Sequence, residues 1–137
     1  MNLATDAGRE HIVFGHEIDW SVTGSVVKFE GLSPADARAL LAGGYMHPDT
    51  RSGRSPTMAE MVEFMERYAE AVPEREGMLS AHGRVIAPTE PDSEVVLEGV
   101  IYSGPTSDAF VKEYATLFYR ADSFMLEKDL HARCWFD

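Results

Sequence analysis

An α+β domain built on a mostly antiparallel sheet is the fold class this sequence predicts, on three observations. Several short stretches alternate apolar and polar residues with a period of two, and turn residues separate neighbouring stretches, so the strands pair as hairpins. Three other stretches carry an apolar stripe at helical spacing. The elements follow one another as ββααββαββ, which gives about six strands with three helices packed mainly on one face. The chain of 137 residues, 45% of them hydrophobic, suits a single domain, 1–137, with one core.

Residues 1–9 are expected to be a loose lead-in. Ile12, Phe14, Ile18 and Trp20 then alternate with Val13, Gly15, Glu17 and Asp19, which predicts a half-buried first strand. A turn at Thr23-Gly24 leads to a second strand over 25–30, with Val27 and Phe29 on one face. Ser33-Pro34-Ala35-Asp36 opens a helix, since serine caps and proline suits the first helical position. Gly43-Gly44 closes it.

A loop over 45–55 precedes Ser55-Pro56, which is expected to open the longest helix. Met58, Met61, Val62, Met65, Tyr68, Ala69 and Val72 form its apolar stripe, and Glu63 and Arg67 stand four apart on the polar side. Pro73 stops it. Strands over 78–87 and 94–103 flank the turn-rich 88–93. A helix over 106–120 carries Phe110, Val111, Tyr114, Leu117 and Phe118, and strands over 123–128 and 130–136 close the chain about Lys128-Asp129.

Composition narrows the function. With 23 acids against 12 bases the net charge is −11, a surface that repels a phosphate backbone, so nucleic acid is an unfavourable partner. Such an acidic surface also fits a salty cytoplasm. The N-terminus lacks the apolar core of a secretory signal and no apolar run approaches membrane length, so the expected location is cytoplasmic, away from a membrane. The single cysteine, Cys134, excludes an intramolecular disulfide and the thiolate-rich zinc sites. Its same-face neighbours Ala132 and Phe136 make it a small core residue rather than a nucleophile.

Two regions stand out. Between Ala37 and Ala59 three arginines face one aspartate, and the stretch leads into a helix N-terminus. His47, Arg51, Arg54 and Ser55 are therefore candidate ligands for a phosphate or carboxylate. His47 and Asp49 fall short of the three or four ligands a metal needs, so neither a metal nor a cofactor is implied. His16 is expected on the inward face of the first strand. On the last strand His131, Arg133 and Trp135 point away from the core, with Glu17 and Asp19 as charge-complementary neighbours. If helices cover one face only, these residues form an interface. The sequence thus predicts a non-enzymatic module that binds a protein partner or itself, as a homodimer, through an open sheet face. The rival is an anion-binding protein or enzyme that uses the 45–57 loop.

Overall fold

The computed structural model of the protein describes residues 3–136, with side chains from Gly8 onward. Five strands form one antiparallel sheet: β1 (Val26–Leu32), β2 (Met78–Ile86), β3 (Val95–Ser103), β4 (Ser123–Glu127) and β5 (His131–Trp135). Their spatial order is β1-β2-β3-β5-β4, so β1 and β4 are the edges. The helices are α1 (Leu3–Phe14), α2 (Trp20–Thr23), α3 (Pro34–Ala42), α4 (Met58–Ala69) and α5 (Asp108–Phe118), with one 3-10 turn at Glu74–Glu76. None of the described helices is long and apolar enough to cross a membrane.

The first expected strand is the main correction. Ile12, Val13 and Phe14 end α1, and residues 3–9 belong to the same helix. Gly15 stops it: at φ +79° its N–H reaches the His11 carbonyl at 2.9 Å, a left-handed cap that glycine adopts without a Cβ penalty. Asp19 caps the short α2 by accepting from the Ser21 N–H. Alternation over 12–20 was thus a helix end, a bend and a new helical turn. His16 is exposed, not inward, and its Nδ1 bonds the Glu17 backbone carbonyl. Glu17 and Asp19 lie off the sheet altogether. Among the described residues there are accordingly five strands rather than about six, and five α-helices rather than three.

Elsewhere the local chemistry places the elements. Ser33 caps α3 and Pro34 fills its first position. Helix α4 starts two residues later than the Ser55-Pro56 pair suggests. Thr57 and Glu60 close a capping box, in which the Glu60 N–H donates to Thr57 Oγ1 at 3.2 Å and the Thr57 N–H to Glu60 Oε1 at 3.0 Å. The Thr57 N–H and the Thr57 hydroxyl, both donating to Glu60 Oε1, hold the Glu60 carboxyl below its ordinary value. The helix ends at Ala69, four residues before Pro73. Arg67 pairs with Glu113 of α5, and Glu66 takes Arg38 of α3 at 2.5 Å, so the charged side of α4 ties neighbouring helices together rather than pairing within itself.

The core lies between one sheet face and α3, α4 and α5. Met58, Met61, Val62, Phe64 and Met65 of α4 are buried against Leu97, Val100 and Tyr102 of β3. Phe64 joins Phe110, Tyr114 and Phe118 of α5 in an aromatic cluster with centroids 5.3–5.9 Å apart. Tyr114 donates to the Val100 carbonyl at 2.6 Å, and burial pushes its phenol pKa up. Glu74 is buried and accepts from the Ser107 N–H at 2.7 Å, which fixes the residue that caps α5. Cys134 is buried with Ala132 and Phe136, as alternation predicts. Burial raises its thiol pKa, so it is poor in thiolate.

Candidate functional site

The opposite face of the sheet carries Lys28 of β1, His82 and Arg84 of β2, Glu98 and Ile101 of β3, Arg133 and Trp135 of β5, and Met125 of β4. A groove of about 760 Å³ runs across it, bounded at one end by Val13 and Phe14 of α1 and at the other by Met125 and Trp135.

A bulge builds the groove floor. His82 pairs with Gly99 and Gly83 pairs with Leu97, so Glu98 is the extra residue on β3. Its side chain, 2% exposed, turns to the uncovered face. Lys28 Nζ lies 2.7 and 2.8 Å from its two oxygens, and Arg84 Nη1 donates at 2.9 Å. One buried carboxylate thus has two cationic partners, the arrangement that makes its burial tolerable. Gly99 follows, and a Cβ there would stand 2.1 Å from the Cys134 carbonyl and 2.4 Å from His82 Nε2. Only glycine admits this approach of β5. His82 Nε2–H donates to that carbonyl at 2.7 Å, and the His82 ring lies 5.0 Å from Trp135. Lys28 Nζ sits 5.6 Å from the Trp135 centroid on the same face.

The three residues expected at an interface do fall on this face. Trp135 is 45% exposed, Arg133 is exposed, and His131 is half-buried with Nε2 3.0 Å from Met125 Sδ. Arg133 makes no hydrogen bond or ion pair among the described residues.

The candidate anion ligands are arranged differently. Arg51 Nη1 donates to the Ser55 carbonyl at 2.9 Å and its other terminal nitrogen lies 3.9 Å from Glu60. His47 and Arg54 are exposed. Ser55 is buried, accepting from the Ser52 N–H and donating to the Pro56 carbonyl. The amides opening α4 have internal partners: Met58 donates to the Thr50 carbonyl, Ala59 to Pro48 and Glu60 to Thr57. The loop's link to the groove is Ser52, which accepts from Arg84 Nη1 at 3.2 Å and donates to the Phe136 carbonyl at 3.0 Å.

Glu98, Lys28, Arg84 and His82 were not singled out by the sequence. Their signal is the pairing of strands, which brings residues 28, 84 and 98 side by side. Among the described residues, no group of three or more His, Cys, Asp or Glu could hold a metal ion. Comparison of the chain with protein-family models, with curated proteins and with solved structures finds no match.

The free edge of the sheet is the second feature. Among the described residues strand β4 has β5 on one side and no strand on the other, and an edge strand presents unpaired N–H and C=O groups. Its sequence, Ser-Phe-Met-Leu-Glu, contains neither lysine nor proline, the usual guards of an edge. Phe124 is 37% and Met125 50% exposed. Lys128 and Asp129 follow in the turn, where Asp129 takes φ +63° and accepts from the Thr106 N–H at 3.2 Å.

Proposed function

We propose that the protein is a non-enzymatic binding module that self-associates as a homodimer along β4, with His131, Arg133 and Trp135 on the adjoining uncovered face. One observation carries the reading. Among the described residues nine large apolar side chains stand exposed, and five of them, Tyr119, Phe124, Met125, Leu130 and Trp135, come from the segment that builds this unguarded edge. Such clustering is what distinguishes an interaction surface from scattered exposed residues.

Charge favours a second copy in one register. Antiparallel self-pairing centred on Met125 sets Phe124 against Leu126 and Ser123 against Glu127, so the strand's one charge avoids its twin. Just beyond the strand ends the same register faces Asp122 with Lys128. The result is one continuous ten-stranded sheet. Because each chain carries −11, added salt should tighten the dimer by screening repulsion. A short edge interface belongs with weak, small contacts, so dissociation is expected at about micromolar concentration.

Sedimentation equilibrium tests this. Wild-type protein should be dimeric at tens of micromolar, and Met125→Lys should be monomeric with an unchanged thermal melt, since the residue is half exposed and lysine blocks edge pairing. A wild-type monomer throughout that range, with or without salt, would remove the proposal.

A further inference from the structure

We infer that the groove over the bulge binds a small amphiphilic organic anion, an apolar ring or short-chain body bearing one carboxylate. The groove's size, about 760 Å³, falls in the range of small-ligand sites. Its walls supply an apolar body with Val13, Phe14 and Phe29 at one end and Ile101, Met125 and Trp135 at the other.

The sign of the charge follows from how the groove's ions are arranged around Trp135. Glu98 is already matched by Lys28 in the groove and by Arg84 from beside it. In the lining the two cations, Lys28 and Arg133, balance the two carboxylates, Glu30 and Glu98, but the charges are spread unevenly: Glu30 stands on β1, whereas Arg133 stands beside Trp135 on β5. His82 donates its Nε2–H to the Cys134 carbonyl and is committed to the backbone. Beside Trp135 a ligand cation would meet Lys28 and Arg133, with Glu98 already occupied and Glu30 on the far strand β1. A ligand carboxylate would find Arg133, which has no partner among the described residues and presents several donors in a fixed fork. Lys28 Nζ lies over the Trp135 ring and is 55% exposed on its side chain, so it can share its charge with a ligand without leaving Glu98. An apolar body against Trp135 with the acid toward Arg133 uses both features.

The site lies on a single chain, so the titration is made on wild-type protein and repeated at two protein concentrations that differ in the extent of self-association; Met125 lines the groove, and its variants are left out. The probes are 2-naphthoate and its uncharged counterpart 2-naphthylmethanol, titrated while observing the Trp135 indole N–H and the Arg133 side-chain N–H by NMR. The Trp20 indole serves as internal control. Naphthoate should shift both groove signals and bind about tenfold tighter than the alcohol, the worth of a charge-assisted contact. Arg133→Gln should bring the acid down to the alcohol's affinity, and the Trp20 signal should stay in place. Equal binding of the two probes, undiminished naphthoate binding in Arg133→Gln, shifts that follow Trp20 instead, or groove signals that stay still up to about 10 mM would each overturn the inference.

Discussion

Met61→Asp should unfold the protein or bring it close to unfolding. Met61 is fully buried on the inner stripe of α4, within the layer that packs on β3. The substitution empties the volume of a long side chain and leaves a carboxylate with no cation near it in an apolar core. The first loss alone is about 2–5 kcal/mol, and the uncompensated charge adds to it. A domain of this size holds about 5–15 kcal/mol in all, so most of its stability is spent by one substitution. Glu63→Gln, on the exposed side of the same helix, should change stability by less than about 0.5 kcal/mol, because Glu63 forms no ion pair among the described residues and its expected partner Arg67 pairs with Glu113. Urea melts compare the two. Similar small effects would mean that the helix presents another face to the sheet.

Glu98→Ala should be the most costly change on the uncovered face. It removes the carboxylate that both Lys28 and Arg84 contact and leaves Arg84, whose side chain is 27% exposed, to find water for itself. Breaking a buried charged pair from one side costs about 2–4 kcal/mol here, somewhat below a fully enclosed pair because Lys28 reaches solvent. The ranking is informative. Arg84→Leu should cost more than Lys28→Met, since the half-exposed lysine contributes an ion pair weakened by solvent while Arg84 also holds Ser52. Chemical melts of the three variants check it. If Glu98→Ala melts with wild type, the carboxylate is not the floor of the groove.

What could be read from the sequence depended on whether the signal was local. Helix α3 was legible because Ser33, Pro34 and Gly43 each act within a few residues. The stripe of α4 and the closing hairpin were legible for the same reason, the latter down to Asp129 at its turn. Residues 12–20 resemble a strand in sequence because Ile12, Val13 and Phe14 at the end of one helix, followed by Ile18 and Trp20, imitate a period of two. Gly15 was the overlooked stop signal. The 45–57 loop was legible in part: its arginines and helix start are visible in the sequence, but the carbonyls that take the α4 amides, Thr50 and Pro48, come from the loop's own path. The groove was illegible, because Lys28, Arg84 and Glu98 are 14 to 70 residues apart and meet only once the strands pair and β3 bulges. The outward stripe His131, Arg133, Trp135 needed only alternation, and so it was found.

The edge-paired dimer is the centre of this account, and a cysteine at its two-fold position interrogates it most directly. In Met125→Cys the two introduced thiols face each other across the axis, while the native Cys134 is buried. A short bismaleimide should then convert most of the protein to a covalent dimer, and dilution below the dissociation concentration should abolish the product. Met78→Cys, at the still more exposed start of β2, should stay monomeric under the same treatment. Cross-linking of both variants alike, or of neither at concentrations where the protein sediments as a dimer, would contradict pairing along β4.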